Sequence, residues 1–410
     1  MKRVLLSFIS ALGISSAMGA VIIEVNVSNR ASISKKDAPV VVNIGKYNAK
    51  SALVTCGGKE ISSQMDDLDG DGTYDELCFV ADFSQKQKQT FVVTLYDEGT
   101  PKNYTPRVYA QMMLTNKNVK IKNKQNLFIK SMTVENGTNP YSTVHHHGPA
   151  FESELVAYRI YFDHRQTVDL YGKYYHRLEL KETQFYPDDA QKASKYGDDV
   201  LWAGQSFGLG AMRGWDGESP RFLEDVDLRT ESVLAKGPVR TIVEIIDRGW
   251  NTCNAGKDKI TMTTRYILYA GHRDCIVDVR FDRSIPDYRL ATGILNISGS
   301  SELSDHKGLR GCWGANWTVA AKDTLGHKKE VIGLGICIPQ ENIAEELAAD
   351  ATNYPFVVKS SGDRIRYGIT FCSDNEINSS YHSSAEWFDY LKEWKHDFLS
   401  PLEIEVRERK

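Results

Sequence analysis

Apolar and polar positions alternate along the chain in short runs rather than at helical spacing. Val21–Val27, Val40–Ile44, Phe91–Leu95, Thr241–Ile246, Ile260–Tyr269, Ile276–Phe281 and Val331–Ile338 are rich in β-branched or aromatic residues and bounded by turn formers. That pattern predicts strands buried on one face or both. Many short strands with few helices predict a mainly β fold of packed sheets. Two segments break the pattern. Glu341–Ala349 is short and rich in Ala and Glu, and predicts a helix. Ser384–Leu399 sets Trp387, Tyr390, Leu391, Trp394 and Phe398 on one helical face, with Ser383 and Glu386 as a capping box and Pro401 as a stop. Its aromatic stripe reads as a packing face. Gly99, Pro101, Asn103 and Pro106 interrupt the strands. They predict a boundary between an N-terminal β domain, residues 20–103, and a larger region, 104–410.

With 410 residues and 41% hydrophobic content, the composition is neither disordered nor collagen-like. Basic and acidic side chains nearly balance, with a net charge of −4, so overall charge makes no case for nucleic acid or an anionic membrane as partner. Lys2 and Arg3, the apolar run Val4–Ile14 and the small residues ending at Gly19 have the layout of a secretory signal peptide, residues 1–19. A periplasmic or secreted protein is expected, without a lipid-bearing Cys and without a run of about 18 apolar residues to span a bilayer. Seven cysteines follow, and no two have C-x-x-C spacing. Export permits the sequence-near bridges Cys56–Cys78, Cys253–Cys275 and Cys312–Cys337. Buried, inert thiols in strands are the alternative.

Four constellations could carry chemistry. In Asp66–Glu76, carboxylates of Asp67, Asp69, Asp71 and Asp75 fall at calcium-loop positions, and Gly72 stands where such a loop turns sharply. Cys78 occupies the place of the bidentate Glu, so a complete EF-hand is excluded. The loop is either a β-turn stabilised by structural Ca2+ or an Asp/Gly hairpin turn; no other cofactor is required. In His145–Glu152, an extended backbone would put His145 and His147 on one face, near Glu152. Proton transfer, metal ligation or a surface role are all open to these imidazoles.

The third constellation, Leu155–Arg165, reads as one strand. Val156, Tyr158, Ile160 and Phe162 then form a core face, while Arg159, Tyr161, Asp163 and Arg165 share the other. Either the polar face is an internal ion-pair ladder, or it is a cleft wall whose guanidiniums meet a sugar carboxylate. The fourth runs from Asp198 to Gly217. Its glycines match no nucleotide-binding motif, and they suit close backbone packing or a loop at a ligand. Trp202 and Trp215 could stack on a sugar ring, and His176, Asp198 and Asp199 could serve as acid or base.

The stretches Gln64–Gly72 with Asp75–Leu77, His147-Gly148-Pro149 with Glu152, Ala157–Asp163 with Arg165, Asp169 and Gly172-Lys173, and Gly204 with Ser206–Gly210 resemble, in order, an uncharacterised family of exported bacterial proteins linked to polysaccharide and pectin utilisation. The resemblance implies a galactose-mutarotase-like β-supersandwich for the larger region. It implies no catalytic residues. Where the family has Asp-Trp-Gly, this chain has Asp199-Val200-Leu201-Trp202.

The expected function is a carbohydrate-active enzyme on acidic, uronate-containing oligosaccharides. Elimination would use His147 or Tyr161 as base, with Arg159 or Arg165 neutralising the carboxylate. Hydrolysis would use two of Glu152, Asp163 and Asp199, about 5–9.5 Å apart. Anomer interconversion would need only His147 and Glu152. A non-catalytic glycan-binding protein, with Arg159, Arg165, His176, Trp202 and Trp215 as contacts, is the competing reading.

Overall fold

A computed structural model describes residues 19–325, 327–378 and 381–409. Residues 1–18 of the predicted signal peptide lie outside the described residues. The chain is mainly β, as the alternation predicts. In the N-terminal unit, a five-stranded antiparallel sheet faces a three-stranded one. Ile23, Val25 and Val27 point inward from the strand Ala20–Ser28, and meet Val40, Val42, Phe79, Phe91 and Val93. Period-two burial of this kind contributes roughly 1.5–3 kcal/mol per large apolar side chain. The closing strand, Glu403–Glu408, returns to pair with Ala20–Ser28, so the end of the chain completes the N-terminal sheet.

The larger region is a β-sandwich. A nine-stranded antiparallel sheet holds the predicted strands as Arg240–Trp250, Ile260–Tyr269, Cys275–Phe281 and Lys329–Cys337. Two five-stranded sheets pack across one of its faces and share a single core with it. Tyr158, Ile160 and Leu170 from one of these sheets, with Phe162 from the turn between its strands, meet Val243, Tyr266, Val277 and Ile369 in that core.

The helix Ser384–Phe398 packs against the opposite face of the large sheet. Ser383 accepts the Glu386 backbone N–H, and Trp387, Leu391 and Trp394 are buried. Glycines make this seat flat: a Cβ on Gly333 would lie 2.6 Å from the Trp387 ring, and one on Gly335 2.3 Å from Leu391. The stripe is therefore a packing face. The second predicted helix does not form. Gln340–Asn342 is a single 3-10 turn and Ile343–Glu346 is an edge strand paired with Asn353–Val358. Ala and Glu favour a helix, but without an apolar stripe that preference yields to sheet pairing.

All seven cysteines are free thiols. Cys312 faces the sandwich core while Cys337 faces the helix, so these two point to opposite sides of one sheet. Cys56 and Cys78 sit in different sheets, and Cys253 is in an exposed loop while Cys275 is buried in a strand.

The seam between the two units is polar. Gln64 accepts the backbone N–H groups of Val239 (2.7 Å) and Arg240 (3.0 Å), and donates to the Arg240 carbonyl. Arg240, almost fully buried, pairs with Asp66 and Glu76 at 2.7 Å each. The Gln64-Met65-Asp66 motif is thus a structural clasp. Among the described residues, no helix is long and apolar enough to cross a membrane.

Candidate functional site

The site lies where the strand Ala157–Ile160 ends and the chain turns back into the strand Val168–Gly172. Residues 161–167 form the turn, so the predicted strand Leu155–Arg165 is shorter than expected. The core face holds: Val156, Tyr158, Ile160 and Phe162 are buried. The polar face does not open into a groove. In the hairpin register Arg159 stands opposite Asp169. Its Nη2 donates to Asp169, to Asp199 at 3.0 Å and to the Tyr161 hydroxyl at 3.4 Å. Tyr161 in turn donates to Asp169 at 2.6 Å. Arg159 and Asp169 are fully buried, whereas the Asp199 side chain is 27% exposed. Arg159 is consequently neutralised from within, and the expectation that it meets a sugar carboxylate is corrected. Arg165 is likewise held by Asp163, through its backbone N–H and two guanidinium N–H groups. It packs over the rings of Tyr141 and Tyr161, each 5.0 Å away.

The histidines are not extended. His145–His147 is one 3-10 turn, with φ +43° at His146 and +70° at His147. His145 and His147 therefore share no strand face, contrary to expectation. The turn approaches the hairpin so closely that a Cβ on Gly148 would lie 1.8 Å from the Ile160 carbonyl oxygen. Nδ1 of His147 lies 2.9 Å from the Tyr141 carbonyl and donates to it, since a carbonyl only accepts. In the neutral ring that leaves Nε2 as a base, 3.4 Å from the Tyr186 hydroxyl. The Tyr141 ring stacks flat on the imidazole at 3.8 Å. His145 Nε2, His146 Nδ1 and Arg159 Nε are buried without a partner in the structure.

Burial shifts the titration of these groups. It pushes His147 below its ordinary value, and His145 down to about 4. Burial also raises Asp199 well above the usual carboxylate range, and the charge of Asp169 adds to this while Arg159 opposes it. Asp199 is thus the outer member of a carboxylate pair and the one whose acid form is favoured, while His147 is favoured in its neutral form. A half-open cleft of about 180 Å3 touches the 161–167 turn at His164 and is lined also by Asn139, Glu224 and Arg229, but not by His147, Tyr186 or Asp199.

The remaining expected residues fall elsewhere. Glu152 is fully buried; it accepts the backbone N–H groups of Glu179 and Leu180 and pairs with Lys173 at 2.5 Å. It has no lone pair for a substrate, and its part in hydrolysis or anomer interconversion is withdrawn. His176 is exposed in a bend. Trp215 lies in the other five-stranded sheet, opposite Pro220. Trp202 is 44% exposed, three residues from Asp199, its backbone N–H bonded to the Trp317 carbonyl. The loop beyond it packs tightly, since a Cβ on Gly208 (φ +59°) would lie 2.1 Å from the Val168 carbonyl oxygen.

In the Asp-rich loop, Asp67, Asp69 and Asp71 bring ligand atoms within 4.8 Å of one another. Asp75 turns away to accept the Leu68 N–H at 2.7 Å. Asp67 also accepts the Gly70 and Gly72 N–H groups, which shapes the turn.

Sequence reasoning missed Tyr141, Tyr186 and the part played by Asp169. The hairpin register alone could have paired Asp169 with Arg159.

Among solved structures, the chain is similar to a protein of glycosyl hydrolase family 38 from Enterococcus faecalis, with 11% identity and a TM-score of 0.47 over 95% of this chain and 48% of that one. It is also similar to an alpha-mannosidase from Enterococcus faecalis V583, with 11% identity and a TM-score of 0.43 over 95% of this chain and 46% of that one. The chain spans about half the length of these two proteins. No curated protein matches it in sequence. Residues 27–404 match the family described as Domain of unknown function (DUF4861), and the chain belongs to that family.

Proposed function

We propose that this protein is an exported carbohydrate-active enzyme that works by acid–base proton transfer on uronate-containing glycans, with elimination as the reaction. The support for the reading is a cluster in which His147, its Nδ1 committed to the Tyr141 carbonyl, lies edge-on to the Tyr161 ring, while Arg159 bonds both Tyr161 and Asp199, whose pKa is raised by burial first and by the charge of Asp169 second. His147 would take the proton from the carbon beside the uronate carboxylate, and Asp199 would give one to the departing oxygen. The Tyr141 carbonyl, bonded to Nδ1, would orient the base, the Tyr186 hydroxyl facing Nε2 would give way to the substrate, and exposed Trp202 would offer a ring face to a sugar. Hydrolysis is less well supported. Of the carboxylates expected to serve it, Glu152 and Asp163 are buried and engaged by Lys173 and Arg165, which leaves Asp199 without a second group to flank a sugar.

The full ordering of Arg159, Asp169 and Tyr161 by one another also suits a second reading, a glycan-binding protein without turnover. Incubation of the protein with uronate and neutral oligosaccharides separates the two. Absorbance of a new unsaturated uronate supports elimination. New reducing ends without that absorbance would replace elimination by hydrolysis. Binding without any product would leave the second reading. The Asp67–Asp71 loop is proposed to hold Ca2+ in a structural role, away from this chemistry.

A further inference from the structure

The hairpin formed by Met113–Leu114 and Leu127–Phe128 carries a loop that the acid–base reading does not use. Between Gln111 and Lys130 the chain has five lysines and no acidic residue, in a protein whose net charge is −4. Lys117, Lys120, Lys122, Lys124 and Lys130 are all exposed. Among the described residues, none of the five has a carboxylate within ion-pair distance, which is also true of other exposed lysines such as Lys36, Lys50, Lys59 and Lys88; what sets the loop apart is that its lysines are gathered in one segment with no acidic residue among them. Like charges gathered without counter-ions repel one another, and an anionic partner relieves that repulsion.

The loop is also built rather than loose. Asn123 is buried, and its amide donates to Gln191 at 2.8 Å. Gln125 is buried too; its backbone N–H donates to the Gln184 side chain at 2.9 Å, and its carbonyl accepts from the same side chain at 3.0 Å. These two anchors fasten the inner side of the loop to residues 184–191, leaving Lys122 and Lys124 outward on either side of Asn123. The same segment carries Tyr186. Lys122 Nζ sits 5.1 Å from the centre of the Tyr186 ring, and the Tyr186 hydroxyl lies 3.4 Å from His147 Nε2. The cationic loop thus begins at the rim of the candidate site. Ile121 (60% exposed) and Phe128 (59% exposed) lie among the lysines as unpartnered apolar surface.

We infer that this loop is a binding rail for an anionic glycan strand running outward from the site. Lysines would neutralise successive uronate carboxylates, while Phe128 and Ile121 would cover the C–H faces of the sugar rings. A polyuronate fits better than nucleic acid or lipid because the rail is continuous with a site whose groups suit sugar proton transfer. In that respect the inference rests on the proposed function.

The test uses the full chain, with polygalacturonate and its fully methyl-esterified form as probes. The variant combines Lys120→Gln, Lys122→Gln and Lys124→Gln, all exposed positions. Polygalacturonate affinity should fall by about tenfold or more and its salt dependence should flatten, since each exposed pair contributes a fraction of a kcal/mol and 1.4 kcal/mol is tenfold. Binding of the neutral ester should not change. Unchanged polygalacturonate affinity in the variant overturns the rail, as does equal loss for both probes. Wild-type binding to duplex DNA or anionic vesicles as tight as to polygalacturonate, at the same salt, overturns the assignment to glycans. Binding is measured without turnover, so loss of the proposed reaction leaves this result standing. Conversely, a failed rail leaves turnover of a disaccharide intact.

Discussion

Asp169 and Asp199 both accept from the same guanidinium nitrogen of Arg159, one from inside the sheet and one from its rim. This shared donor decides what each carboxylate can do. Asp169, also bonded by Tyr161, is the fixed counter-charge. Asp199, partly exposed and next to that charge, is the one whose acid form is favoured.

Arg159→Ala should destabilise the fold rather than change ligand preference. Removing one partner of a buried pair leaves an unpaired charge, at a cost of about 3–5 kcal/mol. Arg165→Ala leaves the buried Asp163 without its cation but with the backbone N–H of residue 165, and Arg165 itself is partly exposed, so the cost should be smaller than for Arg159→Ala. Denaturant unfolding of both variants checks the ranking.

Activity should follow a bell-shaped pH profile. His147 has a lowered pKa, so the base is lost only as pH falls below the ordinary histidine range. Asp199 has a raised pKa, so the acid is lost as pH rises through that value. In Asp199→Asn the alkaline limb should disappear, along with about 10²–10⁴-fold of the rate. An alkaline limb that persists in this variant would assign the acid to another group.

Stability should depend on His272. Burial alone would lower its pKa, but Asp274 at 2.9 Å and the Asp37 carbonyl at 2.9 Å carry it from 6.5 to about 9. The stabilisation is complete below about pH 6.5 and is lost as pH rises through about 9. Because Asp37 belongs to the N-terminal unit, loosening of the seam should accompany the loss. Melting temperature between pH 6 and pH 10, compared in wild type and His272→Gln, should decline in the first and be flatter in the second.

How much of this was legible in the sequence depends on how local each signal is. The alternation of Ile23, Val25 and Val27 and the stripe of Trp387, Leu391 and Trp394 are local, and both appear as expected. The Glu341–Ala349 prediction failed because edge pairing with Asn353–Val358 is not local. The polar residues of the third constellation were recognised, but their partners were not. Whether Arg159 faces a substrate or a carboxylate is set by hairpin register and by the loop bearing Asp199, neither of which a strand pattern contains. His147 was singled out for its chemistry, yet its geometry comes from a turn with two positive φ angles that the triple-histidine run does not announce. Glu152 had the chemistry without the access.

Calcium should raise the melting temperature by a few degrees if Asp67, Asp69 and Asp71 ligate it, since ligand at a hundredfold excess over Kd stabilises by about 2.7 kcal/mol. Asp69→Asn should reduce the shift without altering the fold or the reaction. Identical melting curves in calcium and in chelator would leave the loop as a hydrogen-bonded turn.

The most direct test is the rate of unsaturated-product formation from a uronate oligosaccharide by wild type, His147→Gln and Asp199→Asn, each checked for folding. Product is expected from the wild type, with losses of about 10²–10⁴-fold in each variant and substrate binding retained. Variants that turn over at the wild-type rate, or a wild type that binds the oligosaccharide and never converts it, would contradict the proposed acid–base mechanism.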